Sequence, residues 1–420
     1  MDCLEIKGGV PLNGTVRISG AKNAVLPIMA ATLLTREECV IRRVPGLEDV
    51  TMMAAILESL GAEVRRSPGV LRVRARHVGD TADYNLVRKM RGSICVMGPL
   101  LGRLGHAKVS LPGGCLIGAR PVDLHLKGMA ALGARVATTG GYVKAVCDRL
   151  RGAEVFLGGR VGPTVLGTAN VMMAAVRARG RTVIESAACE PEVSDLAKFM
   201  NAMGARVSGA GSPTIVIDGV KTLHGADHEV IPDRIEAATF AIAGVATRGR
   251  VTLKGARAEH LTAVIDKLGE AGVKLEAKRG FLTFRRPRKL KPVDITTLPH
   301  PGFPTDVQAQ MMAMLTLIPG ISIITERIFE SRFMHAAELT RLGADVQIEG
   351  PSAIVKGVKK LSGAQMMASD LRASAALVIA GLMATGTTRV NRIYHLDRGY
   401  ERMDEKLRAL GARIRRVPQQ

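Results

Sequence analysis

The chain has 420 residues, a formal net charge of +21 at pH 7, 47% hydrophobic residues, 3% aromatics and no tryptophan. This length suits two or three ordinary domains, and the apolar content excludes a disordered chain. The core must be built from Ala, Val, Leu, Ile and 19 Met. Nucleic-acid binding would draw on such a charge, but it normally brings clustered cations and stacking aromatics. Here the cations are spread along the chain, and the one dense run, Arg285-Arg286-Pro287-Arg288-Lys289, reads as a solvated face. No nucleic-acid partner is expected. Six cysteines (Cys3, Cys39, Cys95, Cys115, Cys147, Cys189) form no C-x-x-C pair and no metal-ligand spacing, which points to free thiols in a reducing cytoplasm. No signal peptide or apolar run of transmembrane length is visible, so a cytoplasmic protein without a membrane partner is expected.

In chain order, a strand over 15–18 runs into Ser19-Gly20-Ala21-Lys22-Asn23-Ala24 and a helix over 23–34. A lysine at a helix N-terminus is a good anion site, because backbone N–H groups and the dipole add to its charge. Arg88-Lys89-Met90-Arg91-Gly92-Ser93 opens a second helix. A strand over 107–111 then leads into Pro112-Gly113-Gly114-Cys115-Leu116-Ile117-Gly118-Ala119-Arg120-Pro121-Val122-Asp123-Leu124-His125, and a helix over 123–134 follows. The glycines let this loop approach a ligand closely. A thiol beside Arg120 is in a setting that lowers its pKa. Further on come a loop over 158–168 and a helix over 169–179, then Glu190-Pro191-Glu192 and Pro232-Asp233-Arg234-Ile235-Glu236. Glu190 and Asp233 read as loop-positioning or salt-bridging residues. In His300-Pro301-Gly302-Phe303-Pro304-Thr305-Asp306-Val307-Gln308, two prolines hold the chain extended before a helix, and Asp306 is either a cap or a reacting group.

One signature recurs: a helix, a small-residue turn, then a strand. Its glycines stand at 61, 133, 204, 272, 343 and 411, spaced 72, 71, 68, 71 and 68 residues apart. A near-constant period means repeated structural units, and each glycine reads as a helix C-cap. Six α+β units suit two pseudo-symmetric domains of three.

The 112–125 string, Ser19 to Ala24 and His300 to Gln308 resemble the motifs of the UDP-N-acetylglucosamine enolpyruvyl transferases, and the resemblance spans essentially the whole chain. It implies an α/β fold: a two-lobed inside-out α/β barrel of six βαβ-type units, with the active site in the cleft between lobes. The lobes fall at about 22–231 and at 1–21 plus 232–420. The implied reaction transfers enolpyruvyl from phosphoenolpyruvate to the 3′-hydroxyl of UDP-N-acetylglucosamine, releasing phosphate, for peptidoglycan synthesis. Neither a metal nor an organic cofactor is expected.

By the same resemblance, Lys22 and Asn23 contact phosphoenolpyruvate and the sugar hydroxyl, and Arg91 the nucleotide sugar. Cys115 donates a proton to C3 of phosphoenolpyruvate, forms a covalent adduct with it, and is the target of fosfomycin. Arg120 faces the phosphate, and Arg120, Pro121, Val122, Asp123 and Leu124 hold the UDP. Asp306 is the base at the 3′-hydroxyl. Ile328 lies near the nucleotide sugar, Arg332 near the enolpyruvyl group, Arg372 at a helix start beside the substrate, and Arg398 on the carboxylate. The diphosphate loop departs from the family: Thr164-Val165-Leu166-Gly167 stands where S-V-G-A is usual, and Arg160 is the available cation. Thr164 and Val165 are the expected contacts there. Two other readings share the pattern: a non-catalytic paralogue that binds UDP-N-acetylglucosamine, and the sister enzyme acting on shikimate 3-phosphate.

Overall fold

The structure, a computed structural model, describes residues 2–111 and 122–418. These carry six four-stranded sheets and one two-stranded ribbon. Three repeats run strand, helix, strand, helix, hairpin in chain order, and the other three take one strand from a distant segment. In the fifth, Ile295–Thr296 pairs parallel with Ile321–Thr325, which is antiparallel to Ser352–Lys356, itself the hairpin partner of Asp345–Glu349. Helix Thr305–Leu315 joins the first two strands, and Met334–Arg341 leads to the hairpin.

All six signature glycines adopt φ between 93° and 99°, a region open to glycine at little cost. Each closes a Schellman motif. At the first, Gly61 donates its N–H to the Glu58 carbonyl and Ala62 donates to that of Leu57. The period in the sequence is therefore the period of one capped outer helix.

The chain divides into two compact units, one of residues 2–19 and 232–418, the other of residues 20–111 and 122–231. In the first, helices Arg234–Ala246, Thr305–Leu315 and Leu371–Met383 pack together. Residues 235–246, 307–315 and 372–382 of these helices are buried. A helix apolar on every side must be surrounded, so the three form the centre and the sheets lie outside. Outer helices such as Thr262–Glu270 bury a stripe only, here Val264 and Leu268. The N-terminal segment completes two sheets of this unit. Asp2–Lys7 lies between Thr387–Asn391 and Arg413–Pro418, and Asn13–Arg17 pairs parallel with Arg250–Lys254. The second unit repeats the plan around Lys22–Ala31, Met97–Leu104 and Val165–Ala175.

Several helix boundaries differ from the sequence reading. The helix expected over 169–179 is Val165–Ala175, because the Thr164 hydroxyl caps it by accepting from the Gly167 N–H at 3.2 Å. The helix expected from 123 to 134 is Asp123–Ala131, and its last residues form the glycine turn. Residues 88–90 of the 88–93 cluster join a short helix, Tyr84–Val87, to a 3₁₀ turn, Arg91–Val96, which takes in 91–93.

Candidate functional site

In the unit carrying residues 232–418, the site is an ion cluster at the start of helix Thr305–Leu315. Pro304 occupies the N-cap position. Asp306, one residue into the helix, binds two arginines: Oδ1 lies 2.8 Å from Arg332 Nη1 and Oδ2 lies 3.0 Å from Arg372 Nη2. Both arginines are buried. Burial acts to lower the Arg372 pKa, but Asp306, Tyr400 and Asp233 outweigh it and hold the pKa above its ordinary value. The Arg372 guanidinium also stacks 5.3 Å from the centre of the Tyr400 ring. Tyr400 is fixed in turn: its hydroxyl lies 2.9 Å from Thr239 Oγ1, and Gln310 Nε2 donates to it at 3.0 Å.

Behind Arg332 stands Glu326, fully buried. Its carboxylate accepts from the hydroxyls of Thr297 (2.5 Å) and Thr305 (2.8 Å) and from the N–H groups of Ile328 (2.9 Å) and Phe329 (3.1 Å). A buried charge is tolerable only with such saturation. Thr305 Oγ1 accepts from Arg332 Nη1 at 2.9 Å, so a chain of hydrogen bonds runs from Glu326 through Thr305 to Arg332 and Asp306. In four repeats the residue after the same strand takes a positive φ: Arg43 (58°), Ser186 (53°), Gly255 (83°) and Arg392 (58°). In the fifth repeat that place belongs to Glu326, which organises the 326–329 turn with its side chain instead.

Arg398 follows helix Tyr394–Asp397 and is half-buried. Burial and then the Arg398 charge push the His395 pKa below its usual value. Asp233 proves to be the N-cap of Arg234–Ala246, accepting from the N–H groups of Ile235 (2.8 Å) and Glu236 (2.9 Å).

In the other unit, Lys22 opens helix Lys22–Ala31, and its Nζ lies 2.9 Å from Asp49 Oδ2. Asn23 is half-buried on the same first turn. Asp123 is exposed at the start of its helix, between half-buried Val122 and Leu124. Thr164 accepts from Gly167 and so keeps its own O–H for an outside acceptor, beside Val165 at the N-terminus of an 11-residue helix. Part of the scaffold here is neutral. Buried Asn170 accepts from the Gly98 N–H at 2.6 Å, donates to the Ile94 carbonyl at 2.9 Å, and lies 3.1 Å from His125 Nδ1. Burial, then the Arg91 charge, push the His125 pKa down to about 4, so the ring is neutral at pH 7. Glu190 precedes helix Pro191–Ala202 as its N-cap residue. Within that helix, buried Asp195 lies 3.0 Å from His228 Nε2 and accepts from the Ile231 N–H at 3.1 Å.

Cys115, Arg120 and Pro121 lie outside the described residues. The other five cysteines are free. Burial pushes the Cys39 pKa up to about 11 and that of Cys95 to about 12, and raises those of Cys147 and Cys189. Among the described residues no group of three or more His, Cys, Asp or Glu is placed to hold a metal ion, and no helix is long and apolar enough to cross a membrane.

The sequence reading gave no role to Asp49, Asn170, Asp195, Glu326 or Tyr400. Asn170 falls in the helix expected over 169–179, and Glu326 stands two residues before Ile328. Asp49, Asp195 and Tyr400 act across long sequence separations, which no local pattern signals.

Comparison with known proteins defines the class first. The family model described as EPSP synthase (3-phosphoshikimate 1-carboxyvinyltransferase) matches residues 6–407. The crystal structure of the enolpyruvyl transferase NikO from Streptomyces tendae superposes with a TM-score of 0.91 at 27% identity, covering 100% of this chain and 99% of that one. EPSP synthase from Acinetobacter baumannii shares the fold, with a TM-score of 0.78 at 18% identity over 100% of both chains. The sequence relatives are more specific. The UDP-N-acetylglucosamine 1-carboxyvinyltransferase of Methylacidiphilum infernorum is 53% identical over 99% of both chains. That of Coxiella burnetii is 52% identical over 99% of this chain and 96% of its own. The chain belongs to the family of UDP-N-acetylglucosamine 1-carboxyvinyltransferases, within the enolpyruvyl transferases.

Proposed function

We propose that this protein transfers the enolpyruvyl group of phosphoenolpyruvate to the 3′-hydroxyl of UDP-N-acetylglucosamine, releasing phosphate, in the cytoplasm and for peptidoglycan synthesis. The observation that carries the reading is the Asp306 carboxylate held between Arg332 and Arg372, in a chain more than half identical to the named relatives over nearly its whole length.

Asp306 takes the proton of the 3′-hydroxyl as that oxygen attacks C2 of phosphoenolpyruvate. The Cys115 thiol delivers a proton to C3, giving a tetrahedral ketal. Loss of a C3 proton then expels phosphate and leaves the enol ether. The second substrate carries a phosphate and a carboxylate, and planar cations clamp such groups best. Arg332, Arg372, Arg398, Lys22 and Arg120 supply the clamp. Asn23 holds the reacting hydroxyl. Arg91, Val122, Asp123, Leu124 and Ile328 hold the nucleotide sugar, and Thr164 and Val165 its diphosphate. With the pKa values of Cys39, Cys95, Cys147 and Cys189 raised by burial, Cys115 is the thiol that fosfomycin alkylates. Phosphate release should require both substrates and stop when either is withheld. Release independent of UDP-N-acetylglucosamine, or none with both present, would exclude this activity.

A further inference from the structure

The six sheets are pseudo-equivalent, so their outward faces can be compared position by position. The sheet built on Glu38–Arg42 turns out four cations (Arg42, Arg65, Arg72, Arg74) and four carboxylates (Glu38, Glu63, Asp227, Glu229). The sheet built on Ile321–Thr325 turns out one cation, Lys356, and two carboxylates, Asp345 and Glu349, around Ile321, Ile323 and Ile354. The sheet built on Arg250–Lys254 is different. Its outward positions carry Arg17, Arg250, Lys254, Lys274, Lys278 and Arg285, against the single carboxylate Glu276.

These six cations are exposed. Glu276 lies 3.3 Å from Arg250, and among the described residues no ion pair reaches the other five. The cations form two rows. Lys274, Arg285 and Arg250 stand directly opposite one another across three strands, and Lys278, Phe281, Lys254 and Arg17 across four. Between the rows, the Thr252 and Thr283 hydroxyls satisfy each other at 2.9 Å. Opposite neighbours on a sheet are about 5 Å apart, and like charges there destabilise the pairing. Like charges also stand opposite each other on other faces, as Lys7 with Arg413 and Lys108 with Lys144 do, but neither of those faces gathers six cations. Six cations against one carboxylate oppose folding more than any other face does, and this excess points to a partner.

We infer that this face docks on an anionic lipid surface. The second row places Phe281 between Lys278 and Lys254, beside the tight turn Arg279-Gly280. An exposed aromatic flanked by lysines suits the boundary between headgroups and acyl chains. Single-stranded nucleic acid needs a stacking platform, and Phe281 is the face's lone aromatic, with Lys254 Nζ over its ring at 5.9 Å. The sequence reading foresees no membrane partner. That reading rests on the lack of a spanning segment, which peripheral docking does not need.

The test is co-sedimentation of the full chain with vesicles of equal parts phosphatidylglycerol and phosphatidylcholine, and with phosphatidylcholine alone. Binding should be confined to the anionic vesicles at low ionic strength and be released by salt. Each cation removed should weaken it about fivefold, so Lys274→Gln/Lys278→Gln/Arg285→Gln should lose about a hundredfold. Melting temperature should not fall, since opposed like charges are removed, and phosphate release should be unchanged. The matching triple on the sister face, Arg42→Gln/Arg65→Gln/Arg72→Gln, should bind as the parent does. If the first triple fails to fold, Lys278→Gln alone still decides through its fivefold loss. No sedimentation, equal losses from both triples, or displacement of the vesicles by RNA would overturn the proposal.

Discussion

The two units share one architecture but prepare their site residues by opposite means. Around Asp306 the preparation is ionic and deep: two buried arginines, a buried glutamate behind them, and a tyrosine under one guanidinium. In the other unit Lys22 pairs with Asp49, and the neutral Asn170 and His125 hold the backbone of Ile94 and Gly98. The difference follows from what each must hold. Two arginines cannot gather in one buried region without compensating anions, whereas a helix N-terminus offers its N–H groups at no such cost. The ionic half should therefore fail chemically when altered, and the neutral half should fail by loosening.

The largest effect is expected at Asp306. Asp306→Asn should retain UDP-N-acetylglucosamine binding by calorimetry and lose 10²- to 10⁴-fold in turnover. Normal turnover in the folded variant would remove the base from the account. Glu326→Gln comes next. It keeps the shape but replaces one acceptor oxygen with a donor, so the turn carrying Ile328 and the Thr305 link to Arg332 should both shift. A loss of about a hundredfold in turnover with the fold intact is expected from such misplacement. Unchanged kinetics would make Glu326 a stability residue only.

The third effect is on pH. Glu236 is buried and accepts from Ser19 N at 2.7 Å, and Lys406 Nζ lies 2.6 Å away. Burial raises its pKa from 4.5 to about 7, more than Lys406 lowers it. The folded state thus holds this proton more tightly than the unfolded chain. The resulting stabilisation is complete below pH 4.5 and is lost as pH rises through 7, up to about 3 kcal/mol in all. His125 and His335, both lowered to about 4 by burial, act in the opposite sense: their contribution is present above pH 6.5 and fades toward pH 4. Comparing wild type with Glu236→Gln isolates the first term. The melting temperature of the wild type should fall relative to the variant between pH 5 and pH 8, and parallel curves would contradict the assignment. The smallest effect belongs to the neutral half. Asn170→Ala leaves the Gly98 N–H unpaired and takes one of its donors from the Ile94 carbonyl, and should cost about 1–3 kcal/mol in denaturant unfolding. A catalytic defect there larger than the stability loss would erase the contrast between the units.

Much of the fold was readable in the sequence because the repeat is enforced locally. A Schellman glycine must follow each outer helix, so the period prints itself as Gly61, Gly133, Gly204, Gly272, Gly343 and Gly411. Helix limits were read less well, since the caps that set them are single side chains such as Thr164. Of the candidate site, Asp306, Arg332 and Arg372 could be proposed from their strings. Their meeting could not, because the partners are separated by 26 and 66 residues. Nothing in the sequence marks Glu326 as the residue that binds four donors, or Tyr400 as the ring beneath Arg372. Buried supports use ordinary residue types and show themselves only by what surrounds them.

The most direct test gives the purified chain phosphoenolpyruvate together with two acceptors, UDP-N-acetylglucosamine and shikimate 3-phosphate, and identifies the products by mass spectrometry. The account predicts an enolpyruvyl ether on UDP-N-acetylglucosamine alone, formed in step with phosphate. Transfer to shikimate 3-phosphate instead, or binding of the nucleotide sugar without any ether, would contradict it.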